Sequence, residues 1–198
     1  MRNCILILIL LSLSNQALAI PERYTFDKQH TTILFFINHL GFSNKVGRMT
    51  DFDGYFIFDQ DNPENSMVEI TMRPEGIATD SKDLDKVLQG ELWFNSKRYP
   101  EMKFTSSDVT ITGANQGDVQ GWLTMLGKEE PVTLHVKFNK TGTHPQTHKY
   151  VAGFSGDTVI NRAHFGMDNY VPMVGEDVRV HIEVEGVRQE ANENSNTE

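Results

Sequence analysis

The sequence predicts an all-β protein, an extended antiparallel β-barrel of about eight strands with one short amphipathic helix. First, bulky apolar residues recur at every second position through most of the chain, which is the period of a strand with one buried face. Second, about eight to ten such segments follow one another, separated by turn-forming residues. Third, a single window has helical spacing instead. A barrel is favoured over a sandwich because closure leaves no exposed sheet edge, and because each strand offers bulky groups on one face.

The clearest strand signals lie between residues 30 and 58. Residues 32–39 and 52–58 alternate with a period of two, whereas the connection from Gly41 to Gly47 does not. The apolar face that these two strands share consists of Ile33, Phe35, Ile37, Phe52, Phe56 and Phe58. This face is therefore predicted to form part of the inner wall.

The middle of the chain contains the predicted helix. A strand at 67–72 leads to Thr79-Asp80-Ser81, which are good helix caps, and Leu84, Val87 and Leu88 then follow at i, i+3 and i+4. Gly90 is a suitable stop. The sequence predicts one short amphipathic helix between residues 81 and 90.

The second half of the chain reads as successive hairpins. The strand signals fall at Lys103 to Ser106, Asp108 to Thr112, Val119 to Met125, Val132 to Phe138, Val151 to Ile160 and Val178 to Val184. Because these segments lie close together in sequence, an antiparallel meander is predicted.

The two ends of the chain are set apart from this domain. Residues 1–19 have a basic start, an apolar run and Ala17-Leu18-Ala19, which together predict a secretory signal peptide cleaved before Ile20. The predicted domain spans residues 20–188, and residues 189–198 are predicted to be a disordered tail. Cleavage removes Cys4 and Arg2, so the net charge changes from −9 to −9 − 1 = −10. Such an acidic chain is a poor match for nucleic acid or for the anionic surface of a bilayer. No later apolar run approaches the roughly 18 residues of a membrane-spanning helix, so stable membrane insertion is not expected.

Several motifs, taken in order, resemble the YceI family of exported, lipocalin-like proteins that bind polyisoprenoids. They are Asp27-x-x-His30-Thr31 through Gly41-Phe42-Ser43, Asp51-Phe52-Asp53-Gly54, Leu92-x-Phe94-Asn95 with Tyr99-Pro100, Gly121-x-Leu123-Thr124, and Arg162-x-x-Phe165-Gly166-Met167. The resemblance runs along essentially the whole predicted mature chain. It implies a lipocalin-like barrel around a long apolar pore that holds an isoprenoid tail, with no enzymatic activity and no cofactor. It does not imply which isoprenoid. Together with the predicted signal peptide, it makes a periplasmic, non-catalytic carrier of a long isoprenoid lipid, such as a quinone or a polyprenyl chain, the leading hypothesis.

The inward-facing apolar residues are the candidate ligand site. The candidates are Ile33, Phe35, Ile37, His39, Phe42, Phe52, Phe56, Phe58, Leu123, Leu134, Val136 and Phe154. From the residues alone, these side chains either fill a closed core or line a cavity, since barrels of about eight strands do both. Phe42 and Ser43 are candidates for the border of a pore mouth. The basic residues nearest the motifs, Lys45, Arg48 and Arg162, are the candidate headgroup contacts.

Metal and catalytic sites are not predicted. His144 and His148 are the only close histidine pair, and they lie in a segment that reads as a loop, where four-residue spacing does not place two imidazoles on one helical face. No nucleophile elbow or phosphate-binding loop is present in the sequence. Two alternatives remain open at this point: an enzyme acting on a lipid, with His39 as its candidate catalytic group, and an exported structural or partner-binding domain with a packed interior. A homodimer is also left open.

Overall fold

The computed structural model describes residues 21–190. Within them the strands are β1 (Glu22–Phe26), β2 (Thr32–His39), β3 (Ser43–Met49), β4 (Phe52–Phe58), β5 (Met67–Met72), β6 (Ile77–Ala78), β7 (Met102–Gly113), β8 (Gln116–Met125), β9 (Lys128–Thr143), β10 (Tyr150–Asn161) and β11 (Val174–Arg188). The helix α1 spans Lys82–Gln89, and short 3-10 turns lie at Pro63–Asn65 and Pro74–Gly76. No helix in the described part of the chain has the length and apolar character needed to span a bilayer.

The strands close into an antiparallel barrel with eight wall positions. β11 pairs with β2 along residues 178–183 and with β1 along residues 186–188, so β1 and β2 together occupy one wall position. The next wall position is shared by β3, which pairs with β2, and β4, which pairs with β1. The position after it is shared by β6, which pairs with β3, and β5, which pairs with β4. β7 to β11 supply the other five positions as a meander. The predicted barrel of about eight strands with one short helix is confirmed.

Two predicted boundaries differ from the structure. The segment from Gly41 to Gly47, predicted to be a connection, is largely the strand β3, which forms a hairpin with β2. The first three residues of β3, Ser43, Asn44 and Lys45, are all polar, so the segment shows no alternation that would predict a strand.

The second difference concerns β7. The two strand signals on either side of Ser107 belong to a single strand, β7, whose pairing with β8 shifts register between Ser106 and Asp108. An extra residue in one strand breaks the period of two in the same way that a turn does. A bulge, not a chain reversal, is therefore what interrupts the pattern.

The helix α1 begins and ends where its caps predict. The Ser81 hydroxyl accepts a hydrogen bond from the Leu84 amide at 3.4 Å, and Gly90 is the C-terminal cap. None of the residues of α1 is fully buried. The helix therefore lies over the barrel without inserting a side chain into a packed core.

The buried apolar residues form two clusters inside the barrel. The larger consists of Ile33, Met49, Phe52, Met102, Phe104, Leu123, Met125, Phe165 and Met167. The smaller consists of Tyr24, Phe56, Phe58 and Ala152. Both lie on inward faces, as the alternation predicts.

Two predicted segments fall wholly or largely outside the described residues. The signal peptide, 1–19, lies entirely outside them. Of the predicted tail, Gln189 is described, and its amide donates to the Arg23 carbonyl at 2.8 Å while its side chain donates to the Thr25 hydroxyl at 2.8 Å. Gln189 is thus attached to β1, one residue beyond the predicted end of the domain.

A candidate lipid cavity

The inside of the barrel contains a cavity of about 1020 Å³. The inward face of β2, from Ile33 through Phe35 and Ile37 to His39, runs along it. The strands paired with β2 add Met49, Val178, Val180 and Ile182. The rest of the wall adds Met72, Met102, Leu123, Met125, Val132, Leu134 and Ile160. Nearly all of the lining is apolar, so the cavity suits a hydrocarbon ligand.

The cavity opens at the end of the barrel where α1 lies. Its mouth is bordered by α1, the segment 90–94 and the segment 170–174, together with the end of β2. The two segments are joined, because the Asn169 side chain donates to the Leu92 carbonyl at 2.7 Å and the Trp93 and Tyr170 rings stack at 6.2 Å. The mouth is therefore a connected frame built from parts of the chain that are far apart in sequence.

Arg162 holds one side of this frame. It is only 1% exposed, and its guanidinium donates to the carbonyls of Gly175 at 2.8 Å, Val174 at 2.9 Å and Asn169 at 3.0 Å, and also to that of Met167. Within residues 21–190 it forms no salt bridge. Burial lowers the pKa of Arg162, against smaller opposing effects of the Asp168 and Glu176 charges. The segment 163–174 is folded around a buried cation whose partners are backbone carbonyls.

Lys45 and α1 close the other side. The Lys45 ammonium donates to the Thr79 carbonyl at 3.0 Å. Thr79 is 2% exposed, and both its amide and its hydroxyl donate to the Asp85 carboxylate at 2.7 Å. These bonds attach the start of α1 to the wall and leave Leu84, Val87 and Leu88 facing the cavity.

A second cavity of about 370 Å³ lies toward the other end of the barrel. It is bordered by an aromatic cluster in which the Phe154 ring contacts the rings of Phe56, Phe58 and Phe138 at 5.1–5.5 Å. Leu134 and Ile182 line both cavities. These two side chains mark where the two spaces meet.

The structure divides the predicted site residues into three groups. Ile33, Phe35, Ile37, His39, Leu123 and Leu134 line the larger cavity, together with Ser43, Lys45 and Arg162. Phe56, Phe58, Val136 and Phe154 line the smaller one, with Leu134 shared.

The remaining three lie elsewhere. Phe52 is 2% exposed and packs against Phe26 in the core. Phe42 is 89% exposed in the turn between β2 and β3. Arg48 is exposed between the buried residues Gly47 and Met49, and its guanidinium lies 3.6 Å from the Asp80 carboxylate.

Sequence reasoning missed the lining residues that come from α1 and from the segments at the mouth. Lys86, Val87, Trp93 and Met173 all line the cavity. The amphipathic pattern of α1 predicts an apolar face, which could have indicated a lid. The loop residues have no periodicity that would have placed them there.

The histidines of the described chain do not assemble a His-rich centre. The His148 amide donates to the His144 carbonyl in a turn, and the His144 ring accepts from the Gln146 and Thr147 amides. One cluster of three potential ligand groups occurs within residues 21–190, formed by Asp27, His30 and Glu185. His30 is bonded to Asp27 at 2.8 Å, which raises the pKa of His30 and lowers that of Asp27. These are the properties of an ion pair.

Comparisons with known proteins agree with the fold. A family model described as YceI-like domain matches residues 24–186. A UPF0312 protein of Pectobacterium atrosepticum is 36% identical over 179 residues, covering 89% of this chain and 92% of that protein. The protein YceI of Salmonella arizonae is 35% identical over 173 residues, covering 86% and 90%.

Solved structures give the same architecture. A YCEI protein of Campylobacter jejuni superposes with a TM-score of 0.71 at 26% identity, covering 78% of this chain and 91% of that one. BcnA of Burkholderia cenocepacia gives 0.74 at 22% identity, with 81% and 98% covered. A domain of Saccharophagus degradans described as polyisoprenoid binding gives 0.63 at 12% identity, with 84% and 98% covered. At their identities the last two support the fold alone.

Proposed function

We propose that this chain, which belongs to the YceI-like family, is a non-catalytic carrier that holds a long-chain isoprenoid lipid, of the quinone or polyprenyl type, in the barrel. The observation that carries the proposal is the apolar cavity of about 1020 Å³ running along the inward face of β2. A cavity of this size lined by Ile, Leu, Met and Phe offers water few partners and offers a hydrocarbon a large contact area.

The energetics favour a chain lipid as the ligand. Burial contributes about 0.8 kcal/mol per CH₂ group, so one five-carbon unit contributes on the order of 4 kcal/mol. A micromolar dissociation constant corresponds to a binding free energy of roughly 8 kcal/mol, which the burial of two or three units would nominally supply. The entropy lost when the flexible tail is ordered offsets the gain from burying further units. The domain of Saccharophagus degradans that shares this fold is described as polyisoprenoid binding, so the fold accommodates this class of ligand in at least one other protein.

The polar end of the lipid is proposed to lie at the mouth. Lys45, Lys86 and His39 line the cavity there, and all three offer hydrogen-bond donors. A quinone oxygen needs one such donor, whereas a phosphate gains from both ammonium groups. Lys86 takes the place of Arg48 among the predicted headgroup contacts because Arg48 lies outside the lining.

Mass spectrometry of an organic extract of the purified protein tests the ligand class. We expect a polyprenyl quinone or polyprenyl phosphate in near-stoichiometric amount. The delipidated protein should then bind ubiquinone or a polyprenyl phosphate at least about tenfold more tightly than palmitate, whose unbranched chain is shorter. Protein that yields no lipid, and that binds none of these three, would mean that the interior serves another purpose. Chemical conversion of the bound lipid on incubation would favour the enzymatic alternative.

The periplasmic site of action is part of the proposal and rests on the N-terminal sequence. N-terminal sequencing of protein from a periplasmic extract should give a start at or near Ile20. Protein retained in the cytoplasm with Arg2 intact would contradict export.

A further inference from the structure

We infer that the mouth of the larger cavity docks on the surface of a phospholipid bilayer, so that the lipid cargo passes between membrane and barrel without crossing water. The docking surface, called the rim below, consists of Leu40, Phe42, Val87, Leu92, Tyr170 and Met173. This inference rests on the proposed function, because it assigns the source and destination of the cargo.

The exposed apolar side chains of the barrel are concentrated at the rim. Ten large apolar side chains are exposed within residues 21–190. Five of them, Leu40, Val87, Leu92, Tyr170 and Met173, line the large cavity, and Phe42 lies two residues from Leu40. They come from four separate parts of the chain: the β2–β3 turn, α1, the segment after α1, and the segment before β11. Exposed apolar side chains that gather around one opening mark an interaction site, whereas scattered ones do not.

Phe42 is the most prominent member of the rim. It is 89% exposed, at a turn that is held rigidly. Its amide donates to the His39 carbonyl at 3.0 Å, the Gly41 amide donates to the Asn38 side chain at 2.9 Å, and Leu40 and Gly41 both have positive φ. A fixed turn that presents a phenyl ring to solvent is suited to inserting that ring into an apolar phase.

The rim is continuous with the lining of the cavity. Leu92 and Met173 are exposed and also border the cavity that Phe35 and Ile37 line deeper in the barrel. An apolar tail entering from a bilayer would therefore contact apolar side chains along its whole path. A docking partner that does not itself contain lipid gains nothing from this continuity.

The charges at the mouth fit a layer of phosphate headgroups. Apart from the buried Arg162, the charged side chains that line the cavity are Lys45, Lys86 and Glu91, a net of one positive charge in a chain whose net charge is −9. The local positive charge favours contact with phosphates, whereas the negative charge of the whole chain opposes prolonged adsorption to an anionic surface. Two rims placed face to face would bring Lys45 and Lys86 of both copies together, which disfavours a second copy as the occupant.

Flotation with phosphatidylcholine vesicles tests the docking directly. We expect the mature protein to float with the vesicles. Phe42→Ser and Leu92→Ser should each lower the vesicle partition coefficient by about tenfold, the loss expected when a buried apolar side chain is removed. Val159→Ser is the matched control, because Val159 is 58% exposed on β10 and lines neither cavity. It should float like the parent protein. Transfer of ubiquinone from loaded protein to vesicles should be slower for Phe42→Ser and Leu92→Ser than for the parent protein and Val159→Ser.

Three outcomes would overturn the inference. The first is a parent protein that does not float with the vesicles, and the second is a rim variant that floats as the parent does or no differently from Val159→Ser. The third is a dimer, seen by light scattering, that Phe42→Ser dissociates while flotation is unchanged, which would assign the rim to a second copy. Binding of ubiquinone added from ethanol reports the cavity separately and should be unchanged in Phe42→Ser, because Phe42 lies outside the cavity lining. A parent protein that floats but binds no isoprenoid contradicts the proposed function and leaves the docking standing.

Discussion

Arg162 is the most deeply buried charged side chain of the described residues, and it shows how one residue can organise a loop. Its planar guanidinium reaches four carbonyls of the segment 167–175, with a fork of donors that an ammonium group cannot reproduce. We expect Arg162→Lys to lower the free energy of unfolding by roughly 2–4 kcal/mol, since it leaves buried carbonyls without donors. Urea denaturation measures the change.

Arg48→Lys is the control for that substitution, because Arg48 is exposed and pairs with Asp80 at the surface. It should change the stability by less than about 0.5 kcal/mol. A loss in Arg162→Lys no larger than this would mean that the loop does not depend on the guanidinium.

Phe35 distinguishes a lined cavity from a packed core. Its ring lies over Gly47, where an added Cβ would fall 2.1 Å from the ring, and its other side faces the cavity. Phe35→Trp should keep the unfolding free energy of the delipidated protein within about 1 kcal/mol of the parent, because the larger ring extends into free space instead of overpacking a core. It should also carry less lipid, and the ligand-dependent rise in melting temperature should shrink.

Phe36→Trp provides the comparison, since Phe36 is the next residue and lies 5.2 Å from the Arg179 guanidinium in the paired strand. It should retain lipid like the parent protein. If Phe35→Trp instead destabilises the delipidated protein strongly and leaves its lipid content unchanged, Phe35 belongs to packed core.

His181 gives the fold a pH-dependent contribution on the outside of the barrel. Its two ring nitrogens lie 2.7 Å from Asp157 and 2.9 Å from Glu183, and the hydrogen bond to Asp157 is the main cause that raises the pKa of His181. A raised folded pKa means that the stabilisation is fully present below the unfolded value of about 6.5 and is lost as the pH rises through the folded value. We expect the free energy of unfolding to fall as the pH rises from about 6.5 through the raised folded pKa, and to fall less in His181→Gln.

The His181 effect is small, because the side chain is partly exposed and water screens the pairs. An NMR titration of the ring protons is the more sensitive readout. A titration midpoint at or below the ordinary histidine value would contradict the assignment.

At the scale of elements, the first turn of α1 is attached to the barrel through Asp85. The Asp85 carboxylate accepts from both the amide and the hydroxyl of the buried Thr79, while the apolar face of the helix lies over the cavity. Asp85→Ala should cost about 1–3 kcal/mol by leaving these donors unsatisfied, and it should speed hydrogen exchange in residues 82–89. Asp83→Ala, at an exposed position of the same helical turn, should cost a few tenths of a kcal/mol at most.

Bound lipid should slow amide hydrogen exchange in α1 of the parent protein, because the ligand supplies contacts to the apolar face of the helix that the empty cavity does not. Equal exchange rates in the delipidated protein and in protein loaded with ubiquinone would show that lipid in the cavity does not stabilise α1.

At the scale of the whole molecule, the barrel is closed at its seam by a short pairing. β1 and β11 share three residue pairs, and the Arg188 guanidinium bonds Glu22 at 2.6 Å. Truncation after residue 186 would remove two of these pairs, the ion pair and the Gln189 bonds, and would expose two strand edges. We expect a lower melting temperature and aggregation of the truncated protein in light-scattering measurements.

Truncation after residue 190 retains every seam contact that the structure describes for residues 21–190 and is the matched control. It should melt within a few degrees of the full chain. Equal behaviour of the two truncations would mean that closure at β1 and β11 contributes little.

The sequence by itself determined which residues face inward and where the single helix lies. Both are local properties: successive side chains of a strand alternate between faces, and the caps around residues 81 and 90 mark the helix ends. For this reason Ile33, Phe35, Ile37 and His39 share one face of β2, and that face points into the barrel.

Tertiary structure alone decided whether the inward residues fill the barrel or line a cavity. That outcome depends on the barrel radius and on which walls meet, which no local period records. Phe52 and Phe35 share the same predicted stripe, yet Phe52 packs against Phe26 while Phe35 borders open space. Arg162 became a loop anchor, and the rim assembled around the mouth, because four distant segments converge there and only the closed barrel brings them together.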